Sequence, residues 1–356
     1  MGVHPRSRAE PTISPIRPRP PQASRLSTVA HTASPLPTGA GDHRGVPRRP
    51  GSLAPAPPAR PEVHLARDTP RHAVAARVAA EEWRRVGRGV YVPVDGPPDK
   101  RADALARIIG FHARLSAATC FSHTSAAVLH GLPLWEASAE THVFQRSSAS
   151  GDRSPEIVRH TPFPLPEDLV LLDGIPATTL GRTAWDCATY LRPLGALVIV
   201  DAALRAGAHR ADLEARAAAA AGRRGSARGI AVLRLADGGA ESAWESACRF
   251  TLLRAGLPVP QTQVPVETRL GTFWADLGWE EWKVVLEYDG RTKYVGRTTE
   301  EFMREKRRHD AVVEEGWRML RITRDDVRQS GALVRRVAAL LPPAVTTLLR
   351  PRRELG

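Results

Sequence analysis

The sequence predicts a mixed α/β (α+β) protein with an unstructured N-terminal extension. Three observations predict it. Helical apolar periods and short β-rich runs succeed one another from residue 62 to residue 349. The hydrophobic share of 42% permits real cores. Residues 1–61 stand apart, holding fourteen of the 31 prolines and showing neither period. Such a segment cannot bury enough apolar surface to offset its ordering entropy. It is expected to be a disordered tail, or an upstream stretch read from a start codon placed too early.

Elements follow in order. "TPRHAVAARVAAEEW" offers Thr69 as an N-cap with Pro70 at the first helical position. "WRRVGRGVYVP" (83–93) alternates and is rich in β formers, so it reads as a hairpin or wing. Helix then basic β-wing is how a winged helix-turn-helix ends, and residues 62–98 read as part of one. Residues 101–132 show a helical pattern ending at Gly131. Residues 141–175 read as short strands and turns. "TTLGRTAWDCATYL" and "ALVIVDAALRAG" read as helices, with Ala-rich helix on to about Ala221. "AGRRGSARG" (221–229) is a basic, Gly-rich linker or loop that closes a middle α/β domain spanning 99–228.

The last unit, 240–349, has its own grammar. "ESAWESACRFTLLRAGL" is a helix ending at Gly256. "FWADLGW" and "KVVLEYD" are strands joined by a short polar turn. "TTEEFMREKRRHDAVVEEG" is a long helix with Thr298 and Glu301 as a capping box and Gly316 at its end. "WRMLRIT" is a strand, and a helix starts at Asp325 or Asp326. The predicted order is α-β-β-α-β-α.

Acids converge in this unit. Alternation puts Val285, Glu287 and Asp289 on one strand face, and Trp274 with Asp276 on one face of the preceding strand. A turn near residues 279–281 brings Asp276 opposite Glu287. Carboxylates so close repel, and a divalent cation relieves the repulsion. Oxygen ligands without His or Cys suit Mg²⁺ or Mn²⁺. Glu241 and Glu245, four apart on the preceding helix, can reach the same cluster, and Lys293 lies just past the turn. Acidic ligands, a metal and one cation are the parts for hydrolysing a phosphodiester.

Charge agrees only in part. The net charge is +13, but residues 1–61 carry +7 of it, with nine Arg against Glu10 and Asp42. Residues 240–328 hold sixteen acids against fifteen Arg and Lys, so any DNA contact there needs a local patch. Arg304, Lys306, Arg307 and Arg308 on the long helix, and Arg84, Arg85 and Arg88 on the wing, are candidates for phosphate contact. Either group equally fits a solvated face. His123 and His130, seven apart in a helical stretch, have no evident third ligand and are expected to be core or surface residues. Trp274, Trp279, Trp282 and Trp317 are expected to pack. Cys120, Cys187 and Cys248 lie far apart, which argues against a disulfide framework and fits a reducing cytosol. No apolar run reaches a membrane span, and the N-terminus lacks a signal-peptide core, so a cytoplasmic protein is expected.

At these residues the chain resembles a known family. Glu245, Asp276, then Glu287-x-Asp289, in that order, look like the PD-(D/E)XK nuclease fold. "DLGW…VVLEYDGRTKY…EKRRHDAVVEEGWRMLRIT" resembles the domain related to very-short-patch-repair (Vsr) endonucleases, over about residues 240–328. The resemblance implies a restriction-endonuclease-like mixed sheet flanked by helices. It makes Asp276 and Glu287 metal ligands, Glu245 the helix acid, and DNA the substrate. Asp289 stands where many such nucleases have Lys, and Lys293 where related domains often have His. More weakly, "RHAVAARV…WRRVGRGVYVP", "SHTSAAVLHGLPLW" and "GIPATTLGRTAWDCA…VDAALRAG" resemble AbiEi-type antitoxin and repressor proteins, in which a winged helix-turn-helix precedes a second α/β domain. That resemblance implies a DNA-binding regulator and leaves a toxin partner or a homodimer open.

Overall fold

The computed structural model describes residues 58–114, 118–146, 155–290, 299–347 and 349–356. The tail to residue 57, Lys293 and Thr298 lie outside the described residues. The protein is mixed α/β, with three sheets among the described residues.

The first sheet is small. β1 (His64–Leu65) pairs antiparallel with β3 (Val90–Pro93), and β3 with β2 (Trp83–Gly87). Between them lies α1 (Arg71–Ala79), preceded by Pro70 in an extended conformation. The helix thus starts one residue later than the Thr69–Pro70 pair predicts, because the proline itself occupies the cap position.

The middle region begins with α2 (Lys100–Arg114). β4 (Thr119–Phe121) and α3 (His123–Leu129) follow, then β5 (Thr141–Gln145) and β6 (Ile157–His160). The expected continuous helix over 101–132 is therefore broken by a strand. Thr119, Cys120 and Phe121 pair with β5 on one side, and Phe121 with a parallel strand on the other. Tertiary pairing overrides the helical period of the flanking residues. β7 (Leu169–Leu172) and β8 (Ile175–Thr178) complete a five-stranded mixed sheet in the order β6-β5-β4-β8-β7.

A helical layer follows: α4 (Leu180–Tyr190), α5 (Pro193–Arg205), α6 (Arg210–Ala219) and α7 (Ser226–Leu235). α5 reads "ALVIVDAAL" and is apolar nearly all round, so it is buried nearly all round. Gly225, at φ +82°, starts α7 where a Cβ would stand 2.4 Å from the Thr189 carbonyl oxygen.

The last unit opens with α8 (Ala243–Arg254), capped by Ser242, whose Oγ accepts from the Glu245 N–H. β9 (Gln261–Thr268) and β10 (Gly271–Trp279) form a long antiparallel pair, and β11 (Val284–Tyr288) pairs antiparallel with β10. α9 (Thr299–Glu314) crosses over to β12 (Arg318–Ile322), which is parallel to β11. Then come α10 (Arg324–Arg328), α11 (Ser330–Ala338) and α12 (Pro343–Thr346). The observed order is α-β-β-β-α-β-α-α-α, one strand and two helices more than predicted. β9 is hidden in the sequence by Gln261, Gln263 and Pro265, and Pro is tolerated because β9 lies at the sheet edge. α10 starts at Arg324, since Thr323 and Asp326 form a capping box.

α8 joins two cores. Phe250 and Leu253 pack with Leu197, Ile199, Leu213 and Val232 of the helical layer. Cys248 and Leu252 pack with Leu277, Val284, Leu286, Ile322 and Leu333. Across the first contact, Arg249 Nη2 donates to both Asp201 carboxylate oxygens at 2.7 Å, with both side chains essentially inaccessible. Residues 221–229 thus do not separate independent cores; α8 belongs to both.

Candidate nucleic-acid-processing site

The site grows from one hairpin. Leu277–Leu286, Gly278–Val285 and Trp279–Val284 are register pairs, closed by a 3₁₀ turn over Glu280–Trp282 and by Lys283 at φ +49°. The pairing ends at Leu277–Leu286, one step short of Asp276 and Glu287, which the sequence expects to stand opposite each other.

The faces are less regular. Val285 packs toward α9 with Ala275, Val312 and Trp317, whereas Leu286 and Leu277 pack toward α8 and α11. Ala275 and Leu277 are two apart yet enter opposite cores. The alternation of β10 therefore breaks at Asp276, where its neighbour on β9, Gln263, has φ +52°. Asp276 is turned so that its Oδ2 accepts from the Tyr288 N–H at 2.7 Å. Glu287 keeps the Val285 face and is met there by Arg308 of α9, which donates to its Oε1. The Arg308 guanidinium also lies 5.1 Å from the centre of the Phe273 ring.

Glu245 enters from the other side, in the first turn of α8. It is buried, and its Oε2 accepts from the Glu241 N–H at 2.6 Å. Glu241 itself precedes the helix cap, so the expected i,i+4 pair on one helix face does not form. Burial, with the Asp276 charge beside it, raises the Glu245 carboxyl to about 7. Burial, with Glu287 adding to it against the Tyr288 N–H, raises Asp276 to about 6. Asp276, Glu287 and Arg308 line an open cleft of about 340 Å³ together with Thr272, Phe273, Trp274 and Tyr288.

This donor set fits a divalent cation only in part. Two carboxylates and a buried third carry more negative charge than one arginine offsets. Yet Glu245, Asp276 and Glu287 do not bring one oxygen each within 4.8 Å of one another; among the described residues that closeness is reached by three histidines instead, His123, His142 and His160. Asp289 continues past β11, its N–H donating to the Ile322 carbonyl at 2.8 Å, and it is not part of the cleft lining.

The candidate DNA contacts divide. Arg304 and Lys306 are exposed on α9. Arg308 turns inward to Glu287, and Lys306, about 200° around the helix from it, faces away from the cleft. Lys306 and Arg308, both candidates for phosphate contact from the sequence, therefore point to different sides of α9, and Arg308 is engaged by Glu287. On the wing, Arg84 donates to both oxygens of Asp103, at 2.7 and 2.5 Å, which makes it an internal ion pair. Arg85 Nε donates to the Gly87 carbonyl. The Arg88 backbone is held at the wing tip: its N–H donates to Glu156 and its carbonyl accepts from Arg114. Arg85 and Arg88 remain exposed.

Sequence reasoning set His123 beside His130. The structure separates them. His130 Nε2 lies 2.8 Å from the Thr178 carbonyl, while His123 meets His142 and His160. No local period announces that meeting, because it depends on how β5, β6 and α3 are brought together. The Trp279 and Trp317 side chains are buried in the cores, as expected.

No known family model matches the chain. Two proteins of Mycobacterium tuberculosis, both described as uncharacterized, are each 36% identical to it over 176 residues: Rv2248 of strain ATCC 25618 / H37Rv and MT2308 of strain CDC 1551 / Oshkosh. The match covers 49% of this chain and 64% of each relative, so the chain spans less than two thirds of the relatives' length.

Proposed function

We propose that the protein acts on DNA through a nuclease-like C-terminal unit that hydrolyses phosphodiesters with Mg²⁺ or Mn²⁺. One observation carries this reading: Asp276 and Glu287 line one cleft, with buried Glu245 close to Asp276. Burial chiefly, with neighbouring carboxylates adding to it, raises the Asp276 and Glu245 carboxyl groups, and a divalent cation would favour their charged forms. Asp276 and Glu287 would hold the ion, with Glu245 assisting. Bound there, it would supply charge neutralisation and a more acidic water. Arg308 would then leave Glu287 free for the ion and turn its charge toward a phosphate oxygen. Asp289 and Lys293 would position water and phosphate. The helix α8, the mixed sheet and α9 support the resemblance to Vsr-like PD-(D/E)XK domains.

A second reading has its own observation. The Arg308 guanidinium already neutralises Glu287, and Asp289 stands in place of the usual lysine. Both favour a DNA-binding regulator of AbiEi type whose nuclease-like fold does not cut. Three free, buried cysteines support a reducing, cytoplasmic setting for either reading. Among the described residues no helix is long and apolar enough to cross a membrane.

Nicking of supercoiled plasmid by the purified chain, with Mg²⁺ or Mn²⁺ and with chelator, separates the two. Hydrolysis predicts metal-dependent nicking that Glu287→Gln abolishes while thermal unfolding stays cooperative. The absence of cutting on every DNA form defeats it. The regulator reading predicts salt-sensitive binding to DNA upstream of the gene, retained in Glu287→Gln and weakened in Arg85→Ala/Arg88→Ala.

A further inference from the structure

Three histidines from three elements meet beside the middle sheet. In the parallel β5–β6 pair, His142 is opposite Val158 and Phe144 opposite His160. Residues at these positions share one sheet face, so His142 and His160 project to the same side. His123 arrives from the β4–α3 junction, where it adopts φ +49°, a left-handed conformation that non-glycine residues seldom hold. Its ring stacks on His160 at 3.7 Å between centroids, and His160 on His142 at 5.3 Å. One ring nitrogen from each of the three lies within 4.8 Å of the others.

We propose that His123, His142 and His160 form a binding site for a divalent transition metal of the Zn²⁺ class, with water in the fourth position. Neutral imidazole is the ligand form such ions take, and three imidazoles with one open place is a known zinc arrangement. Zinc–nitrogen bonds of about 2.0–2.1 Å put tetrahedral donor atoms about 3.3–3.5 Å apart, so the donors are near ligating distance, and the stacked His123 and His160 rings must rotate to aim a nitrogen each at the ion. His142 Nδ1 and His160 Nε2 are already 3.0 Å apart and share a proton that the ion would displace.

The outer partners suit this use. Ser122 Oγ lies 3.0 Å from His123 Nδ1 and leaves Nε2 free to ligate. Glu140 Oε2 lies 3.7 Å from His142 Nε2, on the side of that ring away from His160, where a carboxylate orients a metal-bound imidazole. Burial keeps the rings uncharged: it lowers His123 to about 2 and His142 to about 4, and lowers His160 as well. The cation facing the cluster, Arg182 of α4, is engaged by Asp168 and Asp186 at 2.8 Å each, so its repulsion of a metal is offset. Tyr190 closes the cluster with its ring edge-on to all three imidazoles. A bound ion would tie the edge strand β6 to the start of α3.

The test is a titration of the full chain, freed of metal by chelator, with Co²⁺ and then Zn²⁺. One equivalent of Co²⁺ is expected to give the intense visible bands of a tetrahedral site, which Zn²⁺ erases. Zn²⁺ is also expected to raise the unfolding temperature. His142→Gln and His160→Gln should each weaken binding about 100-fold or more. Glu287→Gln should leave the cobalt spectrum unchanged, which separates this site from the carboxylate cleft. Should His142→Gln fail to fold, His160→Gln on the edge strand makes the same comparison. The proposal is overturned if the wild-type chain binds no stoichiometric Co²⁺, if both histidine variants keep the full signal, or if Glu287→Gln removes it.

Discussion

Arg308 of α9 donates to Glu287 of β11, so the carboxylate proposed to bind a metal already holds a cation. The guanidinium spans the space between the crossover helix and the hairpin, and both side chains are partly accessible. The pair therefore sets a competition: an incoming ion must displace Arg308 from Glu287.

That competition is measurable. Removing the guanidinium in Arg308→Gln should raise Mn²⁺ affinity about fivefold, the equivalent of roughly 1 kcal/mol for an ion pair of this exposure. Electron paramagnetic resonance of free Mn²⁺ during titration reads it directly. An unchanged affinity would remove Glu287 from the ligand set.

The two raised carboxyl groups have a consequence for stability. A carboxyl whose folded pKa is raised binds its proton more tightly in the folded protein, so its contribution falls as pH rises from about 4 toward the folded value. For Asp276 and Glu245 those values are about 6 and about 7. The Asp276→Asn/Glu245→Gln protein should therefore be more stable than the wild type at pH 8, with the gap closing by pH 4. Denaturant melts at the two pH values check it, and a gap of equal size at both would sink the assignment.

Buried histidines act in the opposite direction. His123, His142, His160 and His130 are all held below the ordinary imidazole value, chiefly by burial. A lowered folded pKa gives stability that is present above the unfolded value of about 6.5 and lost as pH falls below it. The wild-type unfolding temperature should drop between pH 7 and pH 4, and the slope should be shallower in His142→Gln. Parallel slopes would show that His142 is not protected from protons in the fold.

The Asp201–Arg249 pair fastens α8 to the helical layer. Asp201 also accepts from Ser246 Oγ and the Asp237 N–H, both at 2.8 Å. Removing one charge leaves the other buried without its partner, which costs about 3–5 kcal/mol. Asp201→Asn should show a loss of that order in equilibrium denaturation, and Asp201→Leu/Arg249→Met should recover much of it. A single variant within 1 kcal/mol of wild type, at the level of an exposed pair, would mean the charge is not held as tightly as the geometry implies.

Much of the last unit was legible because its signals are local. Val284, Leu286 and Tyr288 alternate with Val285 and Glu287; the first three pack in one core and Val285 in the other, as the period assigned. The 3₁₀ turn at Glu280–Trp282 closes the β10–β11 hairpin where the spacing placed a turn, with Leu277 paired to Leu286. Gly316, at φ +80°, stops α9 where a helix end was expected. β9 was illegible because Gln261, Gln263 and Pro265 interrupt its pattern, and β4 because its three residues sit between two helical stretches; pairing with β10, β5 and β8 sets both.

By itself, then, the sequence determined the acid-bearing hairpin, the crossover helix behind it and the wing, since period, cap and turn are written within a few residues. Only the tertiary structure decided what each of those side chains meets. The break at Asp276, the ion pair on Glu287, the internal use of Arg84 and the gathering of His123, His142 and His160 all depend on distant segments docking in one register. Local patterning sets which way a side chain points, but burial, charge and ligand geometry depend on what stands opposite it.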